Sequence, residues 1–249
     1  MSLKTLKKPF VIELIIATYV WTIVPLLTIF FASLTVALAP FAIAIDKRRN
    51  ILHIVATLWA KSIVNCNPWW TFEIIGKENL PNDNTPVVYV ANHQSQADIL
   101  TVFLLSRQFR WLAKDTLFKI PFLGWAMTAA GYVPVKRGDR KSHMECFRRS
   151  KEHLERGTAM LFFPEGTRSK DGNLQSFKSG AFKLATEAKV GIVPMTLEGA
   201  SKLLPKGSLI PAVATVRITI HPIISSADKT EDQLMELSRS AIASALTIK

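Results

Sequence analysis

The residues best suited to chemistry lie in the run Asn92-His93-Gln94-Ser95-Gln96-Ala97-Asp98, where an imidazole and a carboxylate stand five positions apart. On one continuous helix that separation turns the two side chains about 140° away from each other, and they cannot meet. They meet if His93 sits in a loop and Asp98 in the first turn of the helix that follows. Ser95, with Asp98 three residues on, suits the N-cap of such a helix. The carboxylate then orients the imidazole through one ring nitrogen, leaving the other free to take a proton from a hydroxyl. Taken alone the spacing is common, and a structural histidine is the ordinary alternative.

A second group follows an apolar run: Phe163-Pro164-Glu165-Gly166-Thr167-Arg168-Ser169. Gly166 permits close backbone approach, and Arg168 can grip a phosphate through paired donors. The competing reading is a strand-to-loop turn with a solvated arginine. In Gly131-Tyr132-Val133-Pro134-Val135-Lys136-Arg137, the last residue falls just past a strand and is a second candidate anion ligand.

Other chemistries find less support. His53, His93, His143, His153 and His221 fall at none of the usual ligand spacings, so no metal is expected. Cys66 and Cys146 are far apart and outside any CxxC pattern, which argues against a disulfide framework. Neither cysteine nor any serine is set beside a base, so no protein nucleophile is expected. Lys and Arg number 31 against 19 Asp and Glu, an excess that attracts polyanions. Nucleic acid is disfavoured as the partner, since zinc spacings, RNA-binding aromatic motifs and helix-turn-helix signals are missing.

The elements that must position these groups read as one α/β domain. Strands are expected at 71–76, 86–92, 110–114, 132–135, 159–163, 191–197 and 215–222. Helices are expected near 96–106, 117–129, 139–156, 178–189 and 229–246. This alternation predicts a twisted, mostly parallel or mixed sheet covered by helices over 67–249. Residues 1–66 predict a helical membrane anchor. The run from Pro9 to Ile45 carries Glu13 as its only charge and exceeds the roughly twenty apolar residues that span a bilayer. Lys4, Lys7 and Lys8 precede it and Lys47, Arg48 and Arg49 follow, so both ends are expected on the cytoplasmic side. Pro25 is expected to divide the run into two limbs. An amphipathic stretch, Ile51 to Val64, completes a helical pair seated in one leaflet, with a single span as the alternative. The apolar stretch Asp115 to Gly131 fits an acyl-chain channel or a plain core helix. The segment 201–211 fits a headgroup-dipping loop or a solvent-facing one.

Taken together, NHQSQAD, GYVPVKR and FPEGTRS, with Ile192-Val193-Pro194-Met195 after them, resemble in order and separation the motifs of the glycerolipid acyltransferase family. The resemblance covers roughly residues 70 to 200 and is closest to members that acylate 1-acyl-glycerol-3-phosphate. It implies that His93 is the base and Asp98 its partner. It also implies that Arg137, Glu165, Gly166, Thr167 and Arg168 hold the acceptor, chiefly through its phosphate. The implied reaction moves a fatty acyl group from an acyl carrier protein or coenzyme A thioester to the sn-2 hydroxyl, giving phosphatidic acid, with no cofactor. The implied setting is the cytoplasmic face of a bacterial inner membrane with anionic headgroups. Ala97 stands where members often carry a bulky residue, and Lys136 where they often carry an acid. Glycerol-3-phosphate, another lysophospholipid and a lyso-ornithine lipid therefore stay open as acceptors. Outside catalysis, a membrane-tethered anion or nucleic-acid binder and a lipid-binding scaffold are the alternatives.

Overall fold

The computed structural model describes residues 10–169, 172–203 and 212–246, with side chains from Glu13 onward. Helix α1, Phe10–Ile45, runs 36 residues, or about 54 Å. It continues through Pro25 and Pro40, so the two expected limbs do not form. A proline costs one backbone hydrogen bond and bends the axis, but Val24, Leu27, Leu38 and Ala39 pack against the core on either side and hold the helix together. Its outer side stays apolar, with Ile15, Trp21, Leu26, Ile29, Phe30, Phe41 and Ile45 exposed. The helix is long and apolar enough to cross a membrane. The lysines expected to flank its start lie outside the described residues.

Helix α2, Asn50–Asn65, is amphipathic as expected and buries Leu52, Val55, Ala60 and Ile63. Trp59 Nε1 donates to Thr28 Oγ1 at 3.1 Å, fastening α2 to α1. Leu52, Ala60 and Ile63 share one core with Tyr89, Leu161 and Val193, so α2 packs directly on the sheet.

That sheet contains β1 (Trp70–Ile75), β2 (Val88–Ala91), β3 (Phe109–Lys114), β4 (Val133–Val135), β5 (Ala159–Phe162), β6 (Ile192–Glu198) and β7 (Ala214–Ile220). Their spatial order is β1-β7-β6-β2-β5-β3-β4. Strands β2 to β6 run parallel; β7 is antiparallel to β6 and carries β1 with it. The central strands read as unbroken apolar runs because both faces are covered. Helices α3 (Ala97–Phe103) and α4 (Leu123–Ala129) lie on the side of α1 and α2. On the other side, α5 (Arg140–Glu155), α6 (Gly180–Ala188) and α8 (Glu231–Ser244) bury Leu154, Phe182, Leu184, Leu234 and Ile242 against Val88, Val90, Met160 and Ile192. A single turn, α7 (Ala200–Leu203), follows β6.

Two details depart from the sequence reading. The helix expected at 117–129 divides into a 3-10 turn at Asp115–Lys119 and α4, because Pro121 intervenes and Phe122 takes φ 61°. Of the segment 201–211, the structure describes only Ser201 to Leu203, and the expected headgroup loop otherwise lies outside the described residues. Parallel pairing of β2 to β6 gathers their C-terminal ends at one edge. The reversed direction of β1 brings Trp69 and Trp70 to that same edge. Tyr19 of α1 meets them there, its ring 5.5 Å from that of Trp69.

Candidate active site

His93 lies two residues past the end of β2, in the loop that leads to α3. Asp98 is the second residue of α3, so no continuous helix links it to His93. The two side chains meet: His93 Nδ1 is 2.7 Å from Asp98 Oδ2. The same oxygen accepts from the backbone amides of Gln94 at 2.7 Å and Ser95 at 2.8 Å. Asp98 is fully buried, and its Oδ1 has no partner. Three donors on one oxygen fix the carboxylate, and the carboxylate fixes the ring. Helix α3 starts at Ala97, one residue later than a Ser95 cap predicts. The Ser95 hydroxyl accepts from the Ala97 amide at 3.2 Å.

The opposite face of the imidazole is also set. His93 stacks on Phe163, with ring centroids 4.3 Å apart and planes inclined by 23°. With Nδ1 turned to Asp98, Nε2 is the nitrogen left for a substrate, and among the described residues it has no hydrogen-bond partner. The His93 side chain is one-fifth exposed.

The loop after β5 closes against this pair. Glu165 is buried; its Oε1 accepts from the His93 amide at 2.7 Å and its Oε2 from the Gln175 amide at 3.1 Å. Burial pushes the Glu165 carboxyl above its usual range, and the two amides pull it back in part. The Ser169 amide donates to the His93 carbonyl at 2.8 Å, so the two loops are laced in both directions. Gly166 has φ 69°, a conformation that disfavours any side chain. Lys178 fills the space beside it: a Cβ at Gly166 would lie 2.7 Å from Lys178 Nζ. Thr167 and Arg168 are exposed, and the Thr167 hydroxyl reaches Gln175 Oε1 at 3.2 Å.

The structure thus brings His93, Asp98 and Glu165 into direct contact and places Gly166, Thr167 and Arg168 on the adjoining loop. Arg137, just past β4, is exposed on the same edge. With β3 between β4 and β5, it stands about 10 Å along the sheet from the Glu165 loop. Both Glu165 oxygens are engaged by amides, and a carboxylate repels phosphate, so the geometry makes Glu165 a clamp between loops. Gln175, Lys178 and Phe163 escaped the sequence reading as site residues. The signal for Phe163 was its place at the head of FPEGTRS; Gln175 and Lys178 gave none. Among the described residues, no cluster of His, Cys, Asp or Glu can hold a metal ion.

A model of the acyltransferase family matches residues 71–198. A chloroplastic 1-acyl-sn-glycerol-3-phosphate acyltransferase of Arabidopsis thaliana is 44% identical over 211 residues, covering 84% of this chain and 58% of that protein. The chain therefore spans under two thirds of the plant relative's length. A 1-acyl-sn-glycerol-3-phosphate acyltransferase of Chlamydomonas reinhardtii is 40% identical over 232 residues, covering 92% of this chain and 68% of its own. The crystal structure of the 1-acyl-sn-glycerophosphate acyltransferase PlsC from Thermotoga maritima superposes with TM-score 0.80 at 25% identity. That match covers 96% of this chain and 99% of that one. The plant relative is chloroplastic by name, so the expectation of a bacterial inner membrane draws no support from it.

Proposed function

The chain belongs to the acyltransferase family, and from that premise we propose that it transfers a fatty acyl group from an acyl thioester to the sn-2 hydroxyl of 1-acyl-glycerol-3-phosphate, giving phosphatidic acid. The observation that carries the reading is the His93–Asp98 contact at 2.7 Å, which leaves Nε2 for a substrate, with Arg168 on the adjoining loop and Arg137 exposed on the same edge of the sheet. The names of the relatives support the acceptor.

In this mechanism His93 Nε2 removes the proton of the acceptor hydroxyl as its oxygen attacks the thioester carbonyl carbon. Asp98 faces the positive charge that the ring then carries and keeps Nδ1 as the donor. The tetrahedral intermediate collapses, the carbon–sulfur bond breaks, and the imidazolium returns its proton to the departing thiolate. Ester and free thiol balance hydroxyl and thioester, with no covalent enzyme intermediate. The amides of His93, Gln94, Ser95 and Gly166 already have acceptors. We assign the oxyanion to the amides of Thr167 and Arg168, which follow Gly166 on the exposed part of the Glu165 loop. Arg168 and Arg137 hold the acceptor phosphate, with Lys178 beside them. Either acyl carrier protein or coenzyme A suits the basic rim as donor. The reaction takes place at a membrane surface, which α1 is suited to enter.

The test is to incubate the purified full chain with lysophosphatidic acid and each donor thioester, and to identify the product by mass spectrometry. Phosphatidic acid should form with at least one donor. No acylated product with either, or a product acylated only on a phosphate-free lysolipid, overturns the assignment.

A further inference from the structure

The far edge of the sheet, where β3 and β5 begin, carries a second concentration of positive charge. Arg110, the second residue of β3, is fully buried. Its Nη1 donates to the Phe109 carbonyl at 2.7 Å and its Nη2 to the Arg48 carbonyl, while its Nε has no acceptor. Arg49 donates to the carbonyls of Thr128 and Ala129, each at 2.9 Å. Arg48 donates to Asn84 Oδ1 at 3.0 Å, and its Nε is also buried without a partner. Arg49 and Arg110 converge at Gly131, where an added Cβ would lie 3.2 Å from Arg49 Cδ and 3.7 Å from Arg110 Nε, and Arg48 reaches Gly157, where one would lie 3.6 Å from its Nη1.

Lys47, Arg48, Arg49 and Arg156, with Ile43, line a cavity of about 490 Å³ beside this cluster. Among the described residues, none of these five cations, Arg110 included, has a carboxylate within 4.0 Å. Asp46 is nearby, but its oxygens accept from the Arg48 amide at 3.1 Å and the Ile51 amide at 2.9 Å. Burial, then the charges of Arg149 and Arg156, lowers the pKa of Arg49. Burial, then Arg110, lowers that of His153 to about 4, so its ring adds no charge at neutral pH.

A buried guanidinium without a counter-charge is costly, and guanidiniums grip phosphate oxygens in pairs. We propose that this cavity is a phosphate-binding site, separated from His93 by the length of β5, and that its occupant ties the end of α1 to α4, α5 and β3. The phosphate can belong to a lipid headgroup or to a soluble anion. Ile43 lines the cavity, and with Phe41 and Ile45, also exposed on the last turns of α1, it suits the lipid source.

Lys47→Gln with Arg156→Gln tests the site, since both side chains are exposed and free of hydrogen bonds within the described fold. The background is the detergent-solubilised full chain carrying Arg137→Gln and Arg168→Gln, which removes the phosphate ligands proposed near His93. Inorganic phosphate should raise its melting temperature above potassium chloride of matched ionic strength. The added pair should raise the half-saturating phosphate concentration about ten-fold. Flotation with phosphatidylcholine vesicles, with and without phosphatidic acid, separates the sources. Loss of the preference for phosphatidic acid in the added pair identifies the lipid, and a retained preference beside a lost phosphate response identifies the soluble anion. Stabilisation equal to that by chloride, or equal phosphate and vesicle responses with and without the pair, overturns the proposal.

Discussion

The backbone amide of His93 donates to Glu165 Oε1 at 2.7 Å, across 72 residues of sequence. The second oxygen of that carboxylate holds Gln175, so one side chain spaces two loops against the imidazole. Glu165→Ala should therefore lower kcat by about 10 to 100-fold with little change in KM for the acceptor. Steady-state kinetics over acceptor concentration separates the two constants; a rise confined to KM would mean that Glu165 contacts the acceptor itself. Glu165→Gln should recover part of the loss, because its amide oxygen still accepts one of the two bonds.

His93→Ala should reduce turnover by about two to four orders of magnitude, with acceptor binding nearly unchanged. Asp98→Asn offers the ring an oxygen but no charge and allows the wrong tautomer, so a loss of roughly three to four orders is expected. Single-turnover rates with bound acceptor are the measurement. Near-normal chemistry in the His93 variant excludes general-base transfer.

Gly166→Ala meets two obstacles. The backbone holds φ 69°, which costs an alanine about 1–2 kcal/mol, and the methyl would crowd Lys178 Nζ at 2.7 Å. The lysine end is flexible and should swing away. The variant should thus fold with a lowered melting temperature and bind a phosphate-bearing acceptor more weakly. An unchanged KM would detach Lys178 from the acceptor.

Acid should destabilise the protein through His153. In the unfolded chain this group titrates near 6.5, whereas burial and Arg110 hold it at about 4 in the fold. Between those values the unfolded state binds the extra proton, so stability falls as pH drops from 6.5 towards 4. His153→Gln should flatten that part of the profile, measured as melting temperature against pH. An identical slope in the variant would assign the acid sensitivity elsewhere.

Phe122, just before α4, and Trp125, in its first turn, are 43% and 54% exposed, with ring centroids 5.2 Å apart. Rings held open to solvent in this way suit a lipid interface. Phe122→Glu with Trp125→Glu should weaken vesicle retention of the full chain while a water-soluble short-chain acceptor is still acylated. Unaltered retention would place this end of α4 in water.

Much of this was readable from residue order. Apolar runs located the strands to within a residue or two, because β2 and β6 are buried on both faces and read as unbroken apolar runs, while β1 and β7 leave one face open and alternate. The angular argument for His93 and Asp98 required a loop followed by a helix start, and that is the arrangement found. What stayed hidden depends on the third dimension. Arg110 sits in a strand whose pattern reads as ordinary, and only the approach of Arg48 and Arg49 from α1's end exposes its lack of a counter-charge. Gln175 reaches Glu165 through its backbone amide, which carries no side-chain signature. The continuity of α1 through Pro25 was set by packing on α2, against the local preference of the residue.

The antiparallel pairing of β7 with β6 has a consequence for how substrate arrives. By reversing β1, it sets Trp69, Trp70 and Tyr19 on the rim where His93 opens. A lipid acceptor reaching that rim would travel by lateral diffusion within a film of amphiphiles, not through bulk water. Its rate of acylation would then track its mole fraction in the film and fall on dilution with inert lipid, even at constant total concentration.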